Sequence, residues 1–238
     1  MTNQGSGTRN PELRTRYQER GNMNRRRRFL KISLEFIAGV GFLLSPFSSW
    51  VRRVHAKIQK VILPKDTSQE ALAYRNPAEL DTRNLDITPL KDFKTMGITD
   101  HNTDLDTWRL KVEGHVQVPL SLTYSEVLSL PAIRRDVLLI CPGIFANHGR
   151  WEGISMGPLL QKAKVTDKGT RVNFWGPEGI YEKVEGFPLK DVLSNKVFLG
   201  YKLNGKPLPQ KHGFPLRVVA EDRFGFTWVK YVHKITVE

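Results

Sequence analysis

The chain of 238 residues is 39% hydrophobic and 26% charged, which supplies a core of domain size and excludes a wholly disordered protein. Its net charge of +13 is uneven: residues 1–60 hold 13 Lys and Arg against 3 Asp and Glu, whereas residues 61–238 hold 24 against 21. That near balance argues against a nucleic-acid partner, which needs its cations on the folded surface. The single cysteine excludes an intramolecular disulfide, a four-cysteine zinc site and a cysteine-bound iron–sulfur cluster built by this chain alone, and no C-x-x-C-H run attaches a haem.

Residues 1–24 are polar and basic and read as a disordered leader, with Met23 as an alternative start. Residues 25–56 begin with Arg25–Arg26–Arg27–Arg28–Phe29–Leu30–Lys31, continue as an apolar run from Ile32 to Trp50, and end on the small-residue site Val54–His55–Ala56. Basic, apolar, then small is the order of an export signal, and Arg26–Arg27–x–Phe29–Leu30–Lys31 fits the twin-arginine pattern, which exports folded proteins through its own machinery. A plain membrane anchor is the competing reading. The run falls short of the ~20 clean apolar residues of a span, and Glu35 interrupts it. The expected location is the periplasm, with attachment to the inner membrane if the signal, crowded by Arg52 and Arg53, stays uncleaved.

Residues 57–104 carry Pro64, Pro77 and Pro89 and are expected as an extended arm with one short helix near Ser68–Tyr74. Residues 105–238 form the domain proper. Trp108–Val112 alternates as a half-buried strand. Thr123-x-x-Glu126 is a capping box that opens a helix ending before Pro131. Asp136–Cys141 is a strand that ends on the cysteine, followed by a loop holding Asn147, His148, Gly149 and Arg150. Gly157–Ala163 reads as a helix and Arg171–Trp175 as a strand. Val197–Leu203 enters an Asn204–Gly205 hairpin turn, and Leu216–Ala220 and Trp228–Val237 are the last strands. The result is a β-rich α+β fold.

Two stretches carry chemistry. Cys141 lies between four apolar residues and Pro142–Gly143. A lone cysteine usually packs as a small hydrophobe. At a strand end beside a cationic loop it would instead be a low-pKa thiolate suited to a soft transition metal. Further on, His212–Gly213–Phe214–Pro215–Leu216–Arg217, with Lys230 downstream, supplies a planar guanidinium fork and a point charge for an anionic, ring-bearing ligand. The bland alternative is a loop histidine and two solvated cations.

Leu203–Asn204–Gly205–Lys206–Pro207–Leu208–Pro209, His212–Gly213–Phe214–Pro215–Leu216–Arg217–Val218–Val219 and Val229–Lys230–Tyr231 together resemble the molybdopterin domain of sulfite oxidases. Leu139–Ile140–Cys141–Pro142–Gly143 and Trp151–Glu152–Gly153–Ile154 are similar to that family's cysteine strand and the step after it. Trp108–Arg109–Leu110 resembles its entry strand. The resemblance implies a molybdenum–molybdopterin cofactor, with Cys141 as catalytic metal ligand and His212, Arg217 and Lys230 on the cofactor. Phe93–Asn102 stands where the family has another cofactor-contacting stretch, which makes His101 and Asn102 candidates. Tyr181, Trp175, His148 and Arg150 are candidates for the substrate side.

The pattern departs after Cys141. Pro142–Gly143–Ile144–Phe145–Ala146 replaces the arginines with which sulfite oxidases bind sulfite, and the dimerisation domain is not expected. The chain is therefore closer to the single-domain, exported bacterial branch, that of periplasmic methionine sulfoxide reductases. The implied reaction is two-electron oxygen-atom transfer on a small oxo-anion or sulfoxide. A b-type haem membrane subunit or a periplasmic cytochrome would carry the electrons. The alternative is an exported binding or assembly protein that keeps the fold without catalysis.

Overall fold

The computed structural model describes residues 60–179 and 182–238. The leader, the twin-arginine motif and Tyr181 lie outside the described residues. Among those described, no helix is long and apolar enough to cross a membrane.

The arm opens with β1 (Val61–Ile62), paired in parallel with β2 (Leu80–Asp81). Between them lies α1 (Gln69–Leu72), where Ser68 caps the helix by accepting from the Ala71 N–H. The helix expected near Ser68–Tyr74 is thus present, at four residues.

Two five-stranded sheets follow. One comprises β3 (Leu110–Gly114), β4 (Leu120–Leu122), β7 (Arg171–Trp175), β8 (Val184–Pro188) and β12 (Lys234–Val237), in the order β4-β3-β12-β7-β8. Only β3 and β12 run parallel. The other is antiparallel: β5 (Ala132–Cys141), β6 (Phe145–Ile154) and β9 (Val197–Leu203) in sequence, with β10 (Lys206–Pro207) and β11 (Arg217–Ala220) both on β9. Short helices α2 (Tyr124–Leu128), α3 (Met156–Ala163) and α4 (Leu189–Leu193) lie between strands. The capping box forms as read: Thr123 Oγ1 accepts from the Glu126 N–H, and the Glu126 carboxylate accepts from the Thr123 N–H. The fold is α+β and rich in strand.

One buried cluster draws on both sheets, through Trp151, Leu199 and Val218 from one and Leu110, Phe174 and Ile235 from the other. A second joins Leu63, Leu72, Leu80 and Leu85 of the arm to Leu138, Ile140 and Ala146. β5 therefore buries both faces: Val137 and Leu139 look into the main core, and Leu138 and Ile140 look under the arm. That explains why its sequence is a continuous apolar run rather than an alternating one.

Two expectations need correction, and one segment is not anticipated by the sequence. The stretch after Cys141 is not a long loop. Ile144 N–H returns to the Cys141 carbonyl at 3.0 Å, and the chain re-enters the sheet at Phe145, so Asn147, His148, Gly149 and Arg150 lie in β6. Trp228–Val237 is a strand only from Lys234. Tyr231 adopts a left-handed φ of 54°, which breaks the pleat and turns Lys230 out of it. The strand-and-helix segment β8–α4 has no counterpart in the sequence reading; each element is five residues long, too short for its apolar residues to show a period.

At Gly153 the β6–β9 register shifts, and a Cβ there would lie 2.1 Å from the Leu199 carbonyl oxygen. Gly157, in α3, faces open space. Gly153→Ala is expected to cost at least the ~1–3 kcal/mol of an overpacked site. Gly157→Ala should instead add about 0.5–1 kcal/mol from the lower entropy of the unfolded chain. Denaturant unfolding of the two variants checks the pair, and equal effects would contradict the packing described.

Candidate functional site

The β5–β6 hairpin carries Cys141 to the end of a sheet, where it pairs with Phe145 across the turn. Leu139, Cys141 and Phe145 share the face that looks into a cavity of about 520 Å³. Residues 94–98 form another wall of this cavity, and Arg217, Trp228 and Lys230 line it too. The thiol is partly buried, and desolvation raises its pKa. The expected cationic loop does not lower it, because His148 and Arg150 are held elsewhere.

Arg217 opens β11 and is 4% exposed. Its guanidinium carbon lies 5.3 Å from the Trp151 ring and 5.6 Å from that of Trp228, and Nη1 donates to the His212 carbonyl at 3.0 Å. Its Nε has no hydrogen-bond partner. Lys230 Nζ donates to the carbonyls of Ile98 at 2.7 Å and Lys211 at 3.0 Å. His212 is fully buried, and neither ring nitrogen has a partner. Its turn, Gln210–His212, ends on Gly213 at φ 109°, where a Cβ would sit 2.9 Å from Lys230 Cβ. Only glycine lets the histidine turn and the lysine backbone approach this closely.

Among the described residues no carboxylate forms an ion pair with Arg217 or Lys230. Burial pushes the Arg217 pKa down to about 10. Burial, then the neighbouring Arg217 charge, pushes Lys230 down to about 7. Burial followed by the charges of Arg217, Lys211 and Lys230 takes His212 down to about 3. Buried cations are normally paired, because an unpaired charge loses its hydration without compensation. Three basic groups that raise one another's cost, with orphaned nitrogens among them, fit an anionic ligand with hydrogen-bond acceptors.

The arm supplies the facing wall. Phe93 packs edge-on against both Trp151 and His212, at 5.7 and 5.5 Å between ring centres. The fully buried Asn147 donates from Nδ2 to the Lys94 carbonyl at 2.9 Å and accepts the Lys94 N–H on Oδ1 at 3.1 Å. Farther along, Met96 Sδ lies 3.4 Å from Cys141 Sγ. Ile98 then accepts from Lys230 and, at 3.3 Å, from the Tyr231 hydroxyl.

The structure therefore brings Cys141, Arg217 and Lys230 onto one cavity, with His212 bonded to Arg217 behind it. His101 faces a neighbouring cleft, packed 4.9 Å from the Tyr231 ring, and Asn102 beside it is exposed. The other substrate-side candidates lie away from the cavity. His148 is buried under the arm with Nδ1 against the Leu85 carbonyl. Arg150 pairs with Asp136 on the surface. Trp175 bonds Thr236 and carries Lys234 over its ring. Sequence reasoning missed Asn147 as a strand residue and Met96 as the neighbour of Cys141. The available signal was a polar residue at the alternation of a strand otherwise carrying Phe145, Gly149 and Trp151 inward.

A family model described as an oxidoreductase molybdopterin binding domain matches residues 96–238. The protein-methionine-sulfoxide reductase catalytic subunit MsrP of Xanthomonas campestris pv. campestris is 30% identical over 190 residues, covering 71% of this chain and 58% of that protein. Mitochondrial sulfite oxidase of Macaca fascicularis is 30% identical over 203 residues, covering 73% of this chain and 37% of that one. The sulfane dehydrogenase SoxCD from Paracoccus pantotrophus shares the fold, with a TM-score of 0.58 at 20% identity over 78% of this chain and 52% of that one. The chain spans 58% of the length of the first of these relatives. The matched residues include the cysteine strand, the buried cations and the Met96 wall, and the chain belongs to the oxidoreductase family built on the molybdopterin-binding domain.

Proposed function

We propose that this chain is the cofactor-bearing part of an oxygen-atom-transfer oxidoreductase acting on a small sulfoxide- or sulfite-like substrate. One observation carries the reading: a single cavity has a thiol at one wall and, at another, buried basic groups that no carboxylate among the described residues pairs. His212, Arg217 and Lys230 are assigned to the pterin and its phosphate. Cys141 is assigned to the metal, and His101 and Asn102 to the outer end of the same ligand, where the cleft beside Tyr231 opens. When bound, molybdenum–molybdopterin supplies two-electron oxygen-atom transfer. The chain's part is to bind, orient and desolvate. Burial holds the Cys141 thiol up, so Cys141 would hold the metal as a thiolate only on giving up its proton. Trp151 and Trp228 keep water from Arg217, so its attraction for a phosphate acts at low dielectric.

The similarity to MsrP and the lack of an arginine in the turn after Cys141 support a sulfoxide over sulfite as substrate. The proposal includes export by the twin-arginine signal in residues 25–56, a periplasmic location, and a b-type haem membrane subunit or periplasmic cytochrome as electron partner. The composition supports the partner: a chain with one cysteine and no C-x-x-C-H run offers no cysteine-bound iron–sulfur cluster or covalent haem of its own to carry electrons, the alternative being oxygen-atom exchange between two small molecules.

Arg217→Ala removes a charge-assisted contact worth about 1.5–3 kcal/mol. Cofactor retention should fall tenfold or more, read as molybdenum and pterin per chain after desalting; unchanged occupancy would take Arg217 out of the site. Cys141→Ser should keep the pterin, alter the molybdenum electron paramagnetic resonance spectrum and abolish turnover of both sulfoxide and sulfite. A purely packed cysteine would instead lose about 1 kcal/mol of stability and leave activity per folded molecule intact.

The Lys230 pKa gives a further test. In the cofactor-free chain it is about 7, against 10.5 for the ordinary side chain. Between those values the unfolded chain holds a proton that the folded one has released, so wild-type stability should rise with pH relative to Lys230→Met. The gain should be absent below pH 7 and complete above 10.5, the window set by those two values. In the loaded protein the phosphate restores the charge and flattens the difference. Thermal unfolding of both proteins across that range checks this, and a flat difference in the cofactor-free pair would contradict the buried-cation reading.

A further inference from the structure

Between Phe145 and Gly149 on the cavity face of the β5–β6 hairpin, Val137, Leu139 and Phe145 are apolar and Asn147 is polar. Asn147 is opposite Leu139 in the register and fully buried, and the contacts of both its amide atoms are with the backbone of Lys94. An amide that accepts an N–H and donates to the carbonyl of the same residue mimics a strand partner. It fixes that residue's position along the hairpin, where apolar contact alone would let the segment slide.

The arm crosses the hairpin in register with its tip. Phe93 sits over Gly149, where an added Cβ would come within 2.9 Å of its ring. Lys94 sits over Asn147. Met96 reaches Cys141, sulfur to sulfur at 3.4 Å. The far end is tied through Ile98 to Lys230 and Tyr231, and on the near side Thr95 Oγ1 adds a contact with the Lys211 carbonyl. Residues 94–98 thus form a strap held at both ends, with Met96 between the ties.

We propose that Asn147 is a positioning residue for the cavity: its amide sets the strap so that the Met96 thioether covers one side of the Cys141 sulfur and limits what reaches it. The assignment rests on the reading of Cys141 as the working residue of the site. Its test uses the thiol itself and needs neither metal nor turnover. The full chain, produced without molybdopterin, is alkylated at Cys141 with iodoacetamide under native conditions. Asn147→Leu, which keeps the branched shape at a somewhat larger volume and loses both hydrogen bonds, should raise the alkylation rate about tenfold, with cooperative thermal unfolding retained. Met96→Ala should raise it similarly. Because both act through the same thioether, the double variant should be no faster than Met96→Ala alone.

A wild-type rate in Asn147→Leu would overturn the proposal. So would the same acceleration by Asn147→Leu in the Met96→Ala background, which would show general loosening of the hairpin. If Asn147→Leu does not fold, hydrogen exchange on the wild-type chain decides. The Lys94 amide should be protected like a strand amide, and fast exchange there would overturn the assignment. If the thiol results hold while Cys141→Ser leaves turnover intact, the functional reading fails and the strap survives.

Discussion

The structure depends on positive charge buried without a counter-charge. Arg217 is enclosed by two tryptophans, Lys230 is held against backbone carbonyls, and His212 has both ring nitrogens unpartnered. A cofactor-free chain bears this cost throughout, at a site where well-packed hydrophobes of the same volume would be more stable. The arrangement makes physical sense as half of a complex whose other half is anionic. Burial lowers the pKa of all three groups, and the Arg217 charge lowers Lys230 and His212 further, so an anion in the cavity would favour the charged forms.

The rest of the architecture brings that charge to a thiol. β5 buries both faces, one in the main core and one under the arm, so its end is held firmly and Cys141 has little freedom to move. The arm returns over the hairpin and closes the cavity from the other side. Lys230 belongs to both systems, since its ammonium ties the Ile98 end of the strap while standing beside Arg217 in the cationic group. Ligand binding at the cations and the position of the Met96 wall are therefore mechanically connected.

Much of this was legible in the sequence because it rests on local signals. The capping box at Thr123 and the Asn204–Gly205 turn are short-range chemistry, and both residues of the turn adopt the positive φ that such a hairpin requires. The continuous apolar run before Cys141 read as a strand ending on the cysteine, and the structure adds that both its faces are buried. The stretches around His212, Arg217 and Lys230 resemble the molybdopterin domain of sulfite oxidases, and the chain belongs to the molybdopterin-binding family. What escaped was polar residues whose partners are distant in sequence. Asn147, His148 and Arg150 look like a loop because their neighbours give no alternation. In the fold, Asn147 is satisfied by Lys94, His148 sets Nδ1 against the Leu85 carbonyl and Arg150 pairs with Asp136. The left-handed turn at Tyr231 was equally hidden, since tyrosine carries no preference for that conformation and tertiary contacts impose it.

The central claim is that the buried cations and Cys141 together hold a molybdenum–pterin ligand. The most direct measurement is the molybdenum and pterin content of the full-length chain purified from a host that makes the cofactor. The account predicts both in equimolar amount with the chain, lost together when the protein is unfolded. A chain that emerges from the same host folded, monodisperse and free of both would contradict it.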